Sequence, residues 1–190
     1  MRRALYILAG IVMAPALAVP SLQANPEDGL LFVSPDGRYG VRIGKTADTE
    51  GITRMAAELE EVESGEPLCE LETPGNQWAT GIRLLWSPDS RRFAFVSPSR
   101  RGDWTSLWVL ENGSFEQVAM PRMPALDLKR GHDTKTVLAS RSAVRWTKPD
   151  VLLMDLASED DEGNSATLRV ALHFGGDGGV KVMRVGGNAH

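Results

Sequence analysis

The chain of 190 residues contains one cysteine and three histidines. A single thiol, Cys69, excludes an internal disulfide framework, so stability must come from a packed core. Cys69 stands between Leu68 and Leu71 and is expected to be buried as a small hydrophobe. Signatures legible from spacing are also missing: G-x-S-x-G, H-E-x-x-H, a Walker loop and paired cysteines do not occur. His190 is terminal, and His173 ends an apolar run beside Leu172 and Phe174, where a core or rim role is expected. His132 precedes Asp133 in a polar loop, and neighbours in sequence seldom face one another as an acid–base pair. No cofactor and no resident metal are expected.

An uninterrupted apolar run of about 20 residues, the length that spans a bilayer, is lacking as well. The one apolar stretch, 4–19, is cut by Pro15, followed by Pro20, and preceded by Arg2 and Arg3. Leu22-Gln23-Ala24 offers a small residue for cleavage, and Ala16-Leu17-Ala18 is a tighter alternative. This pattern predicts a signal peptide over 1–24, a periplasmic or secreted location, and no membrane span after its removal. Losing two arginines and no acid would shift the net charge from −4 to −6. An acidic balance argues against nucleic acid or an anionic membrane surface as partner. The remaining 25–190 is long enough for a single domain.

A short phrase occurs twice after an apolar run. It reads Leu30-Leu31-Phe32-Val33-Ser34-Pro35-Asp36-Gly37-Arg38, then Leu84-Leu85-Trp86-Ser87-Pro88-Asp89-Ser90-Arg91. A looser copy is Val144-Arg145-Trp146-Thr147-Lys148-Pro149-Asp150. Proline presets φ for the second turn position, and aspartate bonds its own backbone two residues on. Glycine, or less readily serine, accepts the unusual dihedral that follows. Each phrase therefore reads as a strand–turn–strand hairpin. After the second turn Phe93 and Phe95 alternate with Ala94 and Val96, so both faces are apolar, as in a strand sandwiched between sheets.

The unit extends to four strands, at 29–33, 38–43, 55–62 and 67–72, then 81–86, 91–97, 105–110 and 114–119. A third set lies at 142–146, 151–156, 166–173 and 180–185, with Gly175–Gly179 as its last turn. The fold class is thus all-β: about three antiparallel four-stranded repeat units, with short or no helix. One segment conflicts. Ile52, Met55, Ala56, Leu59 and Val62 fall at helical spacing over 52–63. Pairing across the Ser64-Gly65-Glu66 turn favours a strand there.

Trp86-Ser87-Pro88-Asp89-Ser90-Arg91-Arg92-Phe93-Ala94-Phe95 resembles the strand–turn–strand core of bacterial TolB-type β-propeller repeats. Phe32–Tyr39 does so too, and Glu61–Leu68 resembles the outer hairpin of such a blade. The resemblance implies four-stranded blades around an axis and a role in protein or ligand binding. The third copy departs, since no glycine follows Asp150. Propellers close with about four to eight blades. Three units leave three resolutions: a homodimer closing six blades, a degenerate fourth blade within 120–141, or a compact sandwich- or barrel-like structure. The last is preferred, because small domains curl. The chain is expected to be monomeric or weakly dimeric.

Two surface elements are singled out. Ser99-Arg100-Arg101-Gly102-Asp103-Trp104 reads as a loop between the second and third strands of unit two, where Arg91 and Arg92 are expected to join Arg100 and Arg101. Arginine and tryptophan anchor interfaces, so Arg100, Arg101, Asp103 and Trp104 form the candidate interface. The competing reading is a solvated loop with Trp104 packed inward. The acidic run Glu159–Glu162 is a candidate for Ca²⁺, although the ordered Asp-x-Asp-x-Asp-Gly spacing is missing and a solvated hairpin loop is the plainer reading. Trp86, Trp108 and Trp146 are expected in the core; Trp78, near Asn76 and Gln77, would stack on a sugar only if exposed.

Repeats without reactive residues point to an exported non-catalytic binding or scaffold module that engages another envelope protein. The alternative is a carbohydrate-active or other hydrolytic enzyme, which needs a carboxylate pair at a defined separation.

Overall fold

A computed structural model describes residues 29–47, 53–71, 81–99, 102–126, 136–160, 163–176 and 178–184. The predicted signal segment 1–24, Trp78, Arg100, Arg101, His132 and His190 lie outside these residues. Twelve strands form three four-stranded sheets. The first holds β1 (Leu30–Leu31), β2 (Tyr39–Ala47), β3 (Thr53–Glu61) and β4 (Pro67–Leu71). The second holds β5 (Arg83–Trp86), β6 (Arg92–Ser99), β7 (Gly102–Glu111) and β8 (Ser114–Val118). The third holds β9 (Thr136–Lys148), β10 (Val151–Asp160), β11 (Ser165–Phe174) and β12 (Val180–Arg184). Every sheet is an antiparallel meander in chain order, as the three four-stranded units predict.

The contested segment 52–63 is a strand over Thr53–Glu61, with Val62 and Glu63 in the turn that follows. Tyr39 to Ala47 pairs with Thr53 to Glu61 along one edge of β3, and β4 occupies the other. Its backbone is thereby paired along one edge throughout and along the other from Ala57 to Glu60, which outweighs the helical propensity of its alanines and glutamates. Ala57 and Leu59 point inward and are fully buried.

The second sheet is the middle layer. Its Leu84, Phe93, Phe95, Trp108 and Phe115 pack on Tyr39, Val41, Ile43, Ala57, Leu59 and Leu71 of the first sheet. On its other face Ala94, Val96, Leu107 and Val109 pack on Leu152, Met154, Leu156, Leu168, Val170 and Leu172 of the third. The alternation read in β6 thus serves two different cores. The described residues of 120–141 form no fourth sheet: 136–141 belongs to β9, and 119–126 is irregular, with Met120, Met123 and Leu126 packed on the second core.

The repeated phrase is a hydrogen-bonded cage, nearly identical in its two full copies. Ser34 Oγ donates to Asp36 Oδ1 at 2.6 Å, and Ser87 Oγ to Asp89 Oδ1 at 2.6 Å. The same hydroxyls accept from Tyr39 N and Arg92 N, each at 3.0 Å. The two carboxylates accept from the backbone two residues on, Arg38 N at 3.1 Å and Arg91 N at 3.2 Å. Gly37 and Ser90 take the positive φ, 75° and 57°. Desolvation pushes the Asp36 carboxyl up; hydrogen bonds from Ser34 and Arg38 N and the charge of Arg38 together outweigh it, and Asp36 ends below the ordinary carboxylate range. The third copy has Thr147 in place of the serine, and its hydroxyl makes only a 3.3 Å bond to Val151 O.

An indole ladder runs along the first strand of each unit. Trp86 Nε1 donates to Phe32 O at 2.6 Å, and Trp146 Nε1 donates to Leu85 O at 2.8 Å. Each tryptophan precedes the turn serine or threonine by one residue, and each acceptor precedes the earlier turn serine by two. Equivalent atoms therefore tie successive sheets together. The first unit has Val33 at the tryptophan position, and its side chain is exposed.

Candidate interaction site

Asp103 and Trp104 lie within β7 instead of on a loop, which corrects the reading of 99–104. The reason is close pairing. Ser99 opposes Gly102, and Ser99 Oγ donates to Gly102 O at 2.7 Å, so the two strands stay paired to these residues. Gly102 has φ 112°, and a Cβ there would come within 2.6 Å of Ser140 Cβ. Only glycine permits this approach of β7 to β9.

Asp103 is taken up between the second and third sheets. Its Oδ2 accepts from Arg83 at 2.9 Å and from Ser142 Oγ at 2.8 Å, and Arg83 also donates to Ser142 Oγ at 2.7 Å. Asp103 N donates to Ser140 Oγ at 3.0 Å. Thr105 Oγ1 donates to Arg141 O at 2.6 Å and accepts from Ala143 N at 3.0 Å. The result is a polar clamp along β7 and β9. Of the predicted set, Asp103 therefore holds the fold together.

Trp104 is 49% exposed, so it is not packed inward. The Arg141 guanidinium carbon lies 5.3 Å from its ring centroid. The sequence reading misses Arg141 because β9 begins at Thr136, six residues before the predicted start, and misses Arg83 because its bond to Asp103 joins β5 to β7 across 20 residues. The alternation of Ser140, Arg141, Ser142 and Ala143 was the available signal. The clamp fixes the backbone on both sides of an exposed aromatic–cation stack, the kind of rigid, amphipathic group that anchors interfaces.

The described residues of the other candidates make contacts within the fold. Asp160 Oδ1 accepts from Asn164 N at 2.7 Å, and its Oδ2 from Asn164 Nδ2 at 2.9 Å, closing the hairpin; Asp161 and Glu162 lie outside the described residues. Among the described residues no cluster of three or more histidine, cysteine or acidic side chains is placed to hold a metal ion. His173 sits at the rim, with Nε2 3.0 Å from Asp150 Oδ2. Cys69 packs partly buried against the first core, and burial pushes its thiol up to about 11. Trp108 is buried, and Trp86 and Trp146 pack against the two cores.

Fold and site together define an all-β protein of three stacked four-stranded sheets with an exposed aromatic–cation patch at one junction. No family model matches the sequence, and no curated protein does. Among solved structures the chain is similar to TolB from Acinetobacter baumannii, with 16% identity over 78% of this chain and 30% of that one, at a TM-score of 0.33. The chain thus spans less than a third of that protein, and so loose a likeness carries no role across to it.

Proposed function

We propose that the protein is an exported, non-catalytic binding or scaffold module, and that it engages another protein of the cell envelope through the face around Trp104. The observation that carries this reading is the half-exposed Trp104 ring with Arg141 against it, on a strand held by the Asp103–Arg83–Ser142 clamp. Arg100 and Arg101 precede this strand and extend the proposed interface. Export rests on the N-terminal pattern at 1–24, and a periplasmic or secreted location follows from it. The mature chain is monomeric or weakly dimeric in this reading. A hydrolase gains little support from the carboxylates of Asp103, Asp155 and Asp160, each occupied by a basic, hydroxyl or amide partner.

The test is recovery of envelope proteins on the immobilised mature chain, compared with Trp104→Ala and Arg141→Ala. A stoichiometric partner retained by the wild type and lost at least about tenfold by Trp104→Ala, with unchanged thermal unfolding, supports the interface. Hydrolytic activity that disappears on replacing one pair of carboxylates overturns the reading.

A further inference from the structure

A second concave site lies on the opposite end of the middle sheet, where it borders the third. This cleft, about 450 Å³, is lined by Arg91, Arg92, Glu111 and Phe174, together with Asn112, Gly175, Gly176 and Gly178. It is separate from the Trp104 patch: Arg92 pairs with Val109 at one end of the β6–β7 ladder, and Ser97 pairs with Trp104 towards the other.

The charges in the cleft are arranged unusually. Arg92 is fixed: it donates to Asp89 Oδ2 at 3.2 Å and to Pro149 O at 3.3 Å, and its guanidinium carbon lies 5.8 Å from the centroid of the Phe174 ring. Its buried Nε has no hydrogen-bond partner among the described residues. Neither Arg91 nor Glu111 forms an ion pair through its side chain among the described residues. Both line the same cleft, so a cation and an anion face it from one strand pair without closing on each other. Phe174, largely buried, is the apolar side chain in the lining beside them. Gly178 lies beside the Glu111 carboxylate: its φ is 76°, and a Cβ there would meet Glu111 Oε1 at 3.1 Å.

We infer that this cleft binds a small zwitterion, whose carboxylate meets the Arg91–Arg92 guanidinium groups, whose ammonium meets Glu111, and whose apolar stem lies on Phe174. A planar guanidinium suits a carboxylate, and unpaired opposite charges beside an apolar side chain favour a ligand that carries both. A free amino acid and a short peptide share this chemistry.

Calorimetric titration of the mature protein with L-leucine and with leucyl-leucine tests the inference. N-acetyl-leucine and leucinamide, each lacking one charge, serve as controls. Saturable binding of either zwitterion is expected, weakened at least about tenfold by blocking either end and by Arg91→Ala or Glu111→Gln. The tighter of the two zwitterions identifies the source, amino acid or peptide. Arg91 is exposed and Glu111 only partly buried, so both variants should retain the wild-type melting temperature. The inference is overturned by the absence of saturable heat at millimolar concentrations of both zwitterions. It is equally overturned by binding that ignores the blocking groups, or by variants that bind like the wild type.

Discussion

The two junctions of the middle sheet are built from different materials. The junction with the first sheet is aromatic on its middle-sheet side: there Phe93 touches Trp86, Trp108 and Phe115 at centroid distances of 5.0, 5.7 and 5.3 Å, and Tyr39 of the first sheet meets Phe115 edge-on at 5.0 Å. Polar ties there among the described residues include Trp86 Nε1 to Phe32 O and Asp36 N to Ser90 Oγ at 3.0 Å. The junction with the third sheet is aliphatic at its centre and carries the Arg83–Asp103–Ser142 clamp at its rim. The aromatic junction gains from large buried areas and ring geometry. The aliphatic one has smaller side chains on the middle sheet, Ala94 and Val96, and adds directional bonds that set how β9 lies along β7. One sheet thus meets its two neighbours by two means, and only the second yields a rigid exposed patch.

Truncating the aromatic centre should have the largest effect. Phe93→Ala is expected to cost about 3–5 kcal/mol, and Leu152→Ala about 2–5 kcal/mol, in chemical denaturation. A larger loss at Leu152 than at Phe93 would invert the comparison. Asp103→Ala leaves Arg83 and Ser142 without their shared acceptor and should cost about 1–2 kcal/mol, at the low end because the pair is partly exposed. If Asp103→Ala is neutral, the clamp orients β9 without stabilising it.

The turns extend the contrast. Ser87→Ala removes a buried hydroxyl that serves Asp89 and Arg92 N, an expected loss of about 1–2 kcal/mol. Thr147→Ala, in the exposed third copy, should stay within about 0.5 kcal/mol. Equal losses would mean that the third turn depends on its hydroxyl after all.

A last effect appears only at alkaline pH. The Cys69 thiol lies at about 11 in the folded chain against an ordinary 9.0, so the folded state holds the proton more tightly. Its contribution to stability is complete below pH 9.0 and is lost as pH rises towards about 11. Stability curves of the wild type and Cys69→Ala should therefore converge over that window. Parallel curves would show that the thiol does not contribute.

Much of the fold was legible because it rests on local chemistry. Proline, aspartate and a residue tolerant of positive φ mark the Ser34 and Ser87 turns, and the strands on either side alternate. The two-sided apolar pattern of β6 announced a middle layer. What escaped the reading was long-range. The start of β9 depends on bonds to β7, so Arg141 looked like part of a loop. Gly102 looked like a loop residue until its approach to Ser140 became visible. The role of Ser34 and Ser87 was also hidden, because a serine before Pro-Asp looks the same whether its hydroxyl is solvated or bridges a carboxylate and an amide.

By itself the sequence determined the class, the number of sheets and the meander within each, since those follow from periodicity and turn residues acting over a few positions. Tertiary structure alone decided the stacking order of faces, the exposure of Trp104 beside Arg141, and the meeting of Arg91 and Glu111 in one cleft. Those features depend on which strands approach across tens of residues, and such distances are set by packing and hydrogen bonds that no local pattern encodes.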